Sequence, residues 1–298
     1  MVPLPDIGLG NSNLMKATLP EFIEIAARHG FRTITVRPYA FLEALRDGHS
    51  ERGLRRRLAD AGITVSMIDG LNNGLPGVPD PDSLAPAIRA VMPPDVLRPA
   101  ALPACLRAAN ALGAGMLNVI AYRAAPVPIE EMSGALDRIA ARAAAAGVRL
   151  ALEFLPDSGV PDIDHARRLI AACAGGCGIT LDVFHLDRSG GTVDDVRRLA
   201  PGAVACIQIS DRDAGGAENG PLGGRMMPGD GNLPLRELVA AALENNPAAR
   251  VDIEVLNATL SGASPDAAAR MLSAAVSGWR ETFRDGRPGA LREAGASG

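Results

Sequence analysis

Four oxygen-bearing side chains stand late in four apolar runs of this sequence: Glu153 in "VRLALEF", Asp182 in "GITLDVF", Gln208 in "VACIQIS" and Glu254 in "VDIEVLN". A carboxylate in such surroundings is costly to desolvate, and acids brought together there repel one another unless they are protonated or share a cation. A divalent ion removes both costs. Side chains that offer oxygen alone form a hard donor set, suited to Mg²⁺ or Mn²⁺ and poorly suited to selecting Zn²⁺. Open coordination positions would then take two neighbouring oxygens of a substrate. His185, three residues after Asp182, and Asp211, three after Gln208, follow directly on the same runs.

Such a meeting needs elements that deliver the four side chains to one place. Short β-branched runs at 6–10, 33–38, 63–69, 116–121, 148–154, 178–184, 204–210 and 251–257 read as strands, each followed by an Ala/Leu/Arg stretch of helical period. Helix punctuation supports the alternation. Thr18 and Glu21 form a capping-box pair closed by Gly30, Thr192 and Asp195 form a second, and Pro265 follows Ser264 at a helix start. Eight alternations within 298 residues predict an α/β chain, a (β/α)8 TIM barrel forming a single domain over 1–298. Catalytic groups of that fold lie at the carboxyl ends of the strands, where Glu153, Asp182, Gln208 and Glu254 would share one rim. A doubly wound sheet is the alternative, but "GLGNSNL" at 8–14 lacks the third glycine of GxGxxG. No phosphate-loop or GxSxG signature occurs either.

Composition narrows the partners. The chain is 47% hydrophobic with a formal net charge of −4, which gives no basic footprint for nucleic acid or an anionic membrane. Aromatics are 3%, too sparse for a base-stacking platform, and Lys16 is the sole lysine that could form a Schiff base. Cys105, Cys173, Cys177 and Cys206 show no CxxC spacing and read as buried free thiols. No basic-then-apolar leader and no apolar run near ~18 residues is present, so a cytoplasmic location without a membrane span is expected. Apolar outer helices are compatible with a homodimer.

In "LALEFLP" (150–156), "LDVFHLDRSGG" (181–191), "IQISD" (207–211) and "RMMPGDGNLPL" (225–235), the sequence resembles the xylose isomerase-like TIM barrels grouped as sugar phosphate isomerases and epimerases. That group includes inosose and 3-dehydroshikimate dehydratases. The likeness extends from residue 19 to 257. It implies that Glu153, Asp182, Gln208 and Glu254 are the metal ligands, that His185 contacts substrate oxygens, and that Arg225 enters from the loop after the seventh strand. Gln208 is a departure: many such epimerases carry His there, and Gln resembles the dehydratase branch.

The implied chemistry is proton transfer next to a carbonyl of a small polyhydroxylated compound, through an enediolate, with Glu153 and Glu254 as base and acid and Arg225 holding charge on oxygen. Return of the proton makes an isomerase or epimerase. Loss of a hydroxyl, helped by His185, makes a lyase. A barrel that binds a ligand without turnover is a further reading. The apurinic endonucleases of this fold hold a zinc cluster with several histidines, and only His29, His49, His165 and His185 are available here. Specificity is expected from Arg37, Asp69, Asn73, Asn118 and Tyr122, with "LNNGLPGVPDP" (71–81) as a lid or an ordinary surface loop.

Overall fold

The structure is a computed structural model that describes residues 3–89, 97–156, 158–213 and 224–285. Eight parallel strands close into a barrel in sequence order: β1 (Ile7–Leu9), β2 (Thr33–Val36), β3 (Thr64–Leu71), β4 (Met116–Ile120), β5 (Arg149–Glu153), β6 (Cys177–Asp182), β7 (Val204–Ile209) and β8 (Arg250–Ile253). The ring closes where β1 pairs with β8, Leu9 opposite Ile253. Strands covered on both faces need near-continuous apolar sequence. Leu150–Leu152, Ile179, Leu181, Ile207 and Ile209 are accordingly all buried.

The helices start where the sequence places their caps. Glu21 N donates to Thr18 Oγ1 at 3.4 Å and Thr18 N donates to Glu21 Oε2 at 2.9 Å, so both arms of the capping box open the helix Leu19–Arg28. Its Phe22, Ile23, Ile25 and Ala26 face the barrel, and Gly30, at φ 83°, turns the chain into β2. Thr192 and Asp195 repeat the device at 3.3 and 2.8 Å, and Pro265 is the first residue of the long helix Pro265–Asp285.

Strand ends differ from the sequence expectation in an instructive way. The run 178–184 stops as a strand at Asp182, because that carboxylate accepts the Phe184 N–H at 2.8 Å and the His185 N–H at 3.4 Å and thereby caps a short helix, Val183–Arg188. The run 33–38 stops at Val36 because Pro38 begins the helix Pro38–Arg46, and 251–257 stops at Ile253. The segment 71–81 is tied to the exit of β4: Tyr122 N donates to Asn72 Oδ1 at 3.1 Å, and Ala125 N donates to the Gly77 carbonyl at 2.8 Å. All four cysteines are free thiols; Cys105 and Cys206 are buried as expected, while Cys173 and Cys177 are only half-buried. Among the described residues no helix is long and apolar enough to cross a membrane.

Candidate active site

Three strand ends and the residue after a fourth deliver the predicted donors. Glu153 and Asp182 are the last residues of β5 and β6, and Gln208 is the penultimate residue of β7 and lies opposite Asp182 in the register. Glu254 follows β8 directly, its N–H bound to the Ile209 carbonyl at 3.0 Å. None of the four is more than 8% exposed.

Arg225 reaches them from the loop after β7, and Asp211 is what holds that loop. Main-chain bonds join Asp211 and Met226 in both directions, at 2.9 and 2.6 Å. The Asp211 carboxylate accepts the N–H groups of Arg212, Gly229 and Leu233 at 2.9, 3.0 and 3.1 Å. Gly231 packs so tightly beneath it that a Cβ there would collide with Asp211 Oδ1 and the Arg212 carbonyl.

The Arg225 guanidinium is buried among the acids. Its Nη2 donates to Asp182 Oδ2 at 2.8 Å and lies 3.2 Å from His185 Nε2; its Nη1 donates to the Glu254 carbonyl at 3.1 Å and stands 3.7 Å from Glu254 Oε2. The planar group stacks on Phe184, 4.4 Å from the ring centroid. Burial would raise the Asp182 carboxyl, but Arg225 and the Phe184 N–H hold it below the usual range. His185 moves the other way. Burial, assisted by the Arg225 and Arg188 charges against the pull of Asp182, lowers it to about 4, so the imidazole is neutral at physiological pH. Since arginine can only donate, Nε2 is its acceptor and Nδ1 carries the proton; that buried Nδ1 has no hydrogen-bond partner.

Both glutamates are shifted toward the protonated form. Burial, together with the charges of Asp69, Glu254 and Asp182, pushes Glu153 well above the carboxylate range, with partial relief from the Asn118 amide at 2.6 Å. Burial also raises Glu254 to about 7, opposed by Arg225 and by the Ser12 hydroxyl, which donates to its Oε1 at 2.6 Å. A carboxyl poised near neutrality can both give and take a proton.

The donor set fits a cation. Ligand atoms of Glu153, Asp182 and His185 all lie within 4.8 Å of one another. Gln208 Oε1 is the one buried side-chain oxygen without a hydrogen-bond partner among the described residues. An orphaned buried acceptor beside crowded acids is chemically able to meet a cation. His185, read from the sequence as a substrate contact, stands inside the tight trio, whereas Glu254 is outside it, held by Ser12 and facing Arg225.

Of the expected specificity residues, Arg37, Asp69 and Asn118 are buried, Tyr122 is half-buried and Asn73 is exposed. Asp69 is more than a specificity residue: it is a further carboxylate within reach of the site, bonded by Asn118 Nδ2 at 2.8 Å. Its place at the end of an apolar run is the same signal that singled out the other acids. Ser12 carries no such signal.

A match to the xylose isomerase-like TIM barrel family covers residues 23–275. The chain belongs to that family. This xylose isomerase-like barrel is similar in structure to the IolI protein with a bound zinc atom, at TM-score 0.75 and 15% identity, covering 94% of this chain and 99% of that one. It is similar to D-psicose 3-epimerase with D-tagatose from Clostridium cellulolyticum H10, at TM-score 0.67 and 16% identity, with 94% and 99% covered. The probable 3-DHS dehydratase AsbF from Bacillus anthracis gives TM-score 0.68 and 14% identity over 92% and 99%. At these identities the likeness is one of fold. No curated protein matches the chain by sequence.

Proposed function

We propose that this barrel is a divalent-metal-dependent isomerase or epimerase of a small keto-sugar or polyol-derived carbonyl compound. The observation that carries the reading is the burial of Glu153, Asp182, Gln208 and Glu254 at the carboxyl ends of four successive strands, with the Gln208 oxygen left without a partner. Glu153, Asp182, Gln208 and Glu254 are the residues that would hold Mn²⁺ or Mg²⁺. When bound, the ion supplies Lewis-acid polarisation of a carbonyl and its neighbouring hydroxyl.

The chain's own groups then divide the proton work. Glu153 and Glu254, on β5 and after β8, take a proton from one face of the carbon next to the carbonyl and return one to the other. Glu254, its carboxyl raised to about 7, has both forms accessible near neutral pH, ionised to take a proton and protonated to give one. Arg225, rigidly stacked on Phe184, aims its guanidinium at negative charge developing on oxygen. Burial of the guanidinium keeps its charge from being screened by bulk water.

A second reading, a lyase of the dehydratase type, draws on one observation: the His185 imidazole stands at the site, its Nε2 3.7 Å from Glu153 and 3.8 Å from Asp182, where it could assist a departing hydroxyl. The neighbouring solved structures include both an epimerase and a probable dehydratase. Incubation of keto-sugars, inososes and 3-dehydroshikimate with the Mn²⁺-loaded protein in D₂O separates the two. Deuterium uptake at carbon without loss of water is the expected result; an enone absorbance would establish the lyase, and neither signal on any of these substrates would remove the catalytic reading. The free thiols suit a reducing cytoplasm.

A further inference from the structure

An amide can meet a cation with only one of its ends. The carbonyl oxygen of Gln208 attracts an ion and its NH₂ repels one, so a half-turn about the last side-chain bond decides between ligand and obstacle. The surroundings of Gln208 impose a direction. Thr180 Oγ1 donates to Asn118 Oδ1 at 2.8 Å, which commits the other end of Asn118 to donating. Asn118 Nδ2 then donates to Glu153 Oε2 at 2.6 Å and to Asp69 Oδ1 at 2.8 Å. Gln208 Nε2 faces the second oxygen of Asp69, at 3.5 Å, and Gln208 Oε1 is left without a partner. Donor and acceptor roles are thus handed from β6 through β4 and β3 across the barrel to β7.

We propose that Asp69 is a positioning residue that fixes the Gln208 amide with its carbonyl oxygen turned to the cation site. The role rests on the metal reading above. A carboxylate serves here because both of its oxygens accept: one satisfies Asn118, the other holds the Gln208 NH₂. An asparagine at this position has a single oxygen. Asn118 cannot turn to accommodate it, since Thr180 and Glu153 fix its orientation. The new NH₂ would therefore face Gln208 and draw the Gln208 oxygen away from the ion.

The test is a cycle of Mn²⁺ titrations on metal-free protein, followed by calorimetry or by the electron paramagnetic resonance of free Mn²⁺. The chains compared are the unsubstituted protein, Asp69→Asn, Gln208→Glu and the double variant. Asp69→Asn is expected to weaken Mn²⁺ binding about 10-fold or more, the usual scale for a residue that orients a ligand. In the Gln208→Glu background both ends of the side chain are oxygen, orientation no longer matters, and the same change is expected to cost less than about twofold. Thr180→Val, which removes the hydroxyl that commits Asn118, should show the same background dependence and stands in if Asp69→Asn fails to fold by circular dichroism. An equal loss in both backgrounds would make Asp69 a through-space charge, and no loss in either would leave it without this role. Absence of Mn²⁺ binding to the unsubstituted protein would overturn both this assignment and the metal reading; the other outcomes leave that reading standing.

Discussion

Glu254 combines burial, a neutralising arginine 3.7 Å away and a hydroxyl donor, and its carboxyl titrates at about 7 in place of the ordinary 4.5. The sign of the consequence follows from linkage. Between those values the fold binds the proton more tightly than the unfolded chain does, so the metal-free protein loses stability from this group as the pH rises through about 7. A cation must displace the same proton. Mn²⁺ binding near pH 7 should therefore release protons, seen calorimetrically as a heat that varies with the buffer's ionisation enthalpy, and affinity should climb from pH 6 to pH 8. Glu254→Gln should reduce the release and lower kcat by about 10²–10⁴ while leaving the thermal midpoint of metal-free protein unchanged or higher. A large loss of stability in that variant would make Glu254 structural. His185 belongs at this scale too. Its type and spacing from Asp182 were visible in the sequence, but its neutrality was not, because that follows first from burial in the folded rim and then from the charge of Arg225, 40 residues further along.

At the scale of elements, the strands and the capped helices were legible because each rests on a local signal: apolar runs, Thr–Glu or Thr–Asp capping pairs, and proline at a helix start. The short helix Val183–Arg188 was not. Its hydrophobic residues continue the strand run without a break, and only the fold decides that the Asp182 carboxylate caps a new helix. Likewise Asp211 reads in sequence as one more acid near the rim, whereas in the structure it anchors the loop that carries Arg225. Placing Arg225 thus depends on the space under Asp211. Gly231→Ala forces Asp211 and the Arg212 carbonyl apart, and a shift of about 1 Å in a positioning group costs roughly 10²-fold in rate. The expected outcome is a fall in kcat of that order, with the barrel's unfolding free energy reduced by no more than about 1–3 kcal/mol, the cost of weakened hydrogen bonds to Asp211. Steady-state kinetics and urea unfolding measure the two; unchanged kcat would show that the loop does not set the position of Arg225.

Over the whole molecule, the barrel explains why residues so distant in sequence share one chemistry. Parallel strands all point their carboxyl ends to one face, so acids placed near the ends of β3, β5 and β6 and just after β8 come together there, and the apolar ring beneath them provides support with little screening by water. The sequence carried this arrangement through strand order alone. What it could not carry is the division of labour inside the cluster: which acid pairs with Arg225, which keeps a proton, and which orients Gln208. Those roles are set by distances of a few ångströms across the barrel. The most direct test is anomalous diffraction from crystals of the protein soaked in Mn²⁺. One strong manganese peak per chain is expected, enclosed by Glu153, Asp182, Gln208 and Glu254. A fully exchanged crystal with no peak at that position, or with its manganese bound elsewhere, would contradict the metal reading.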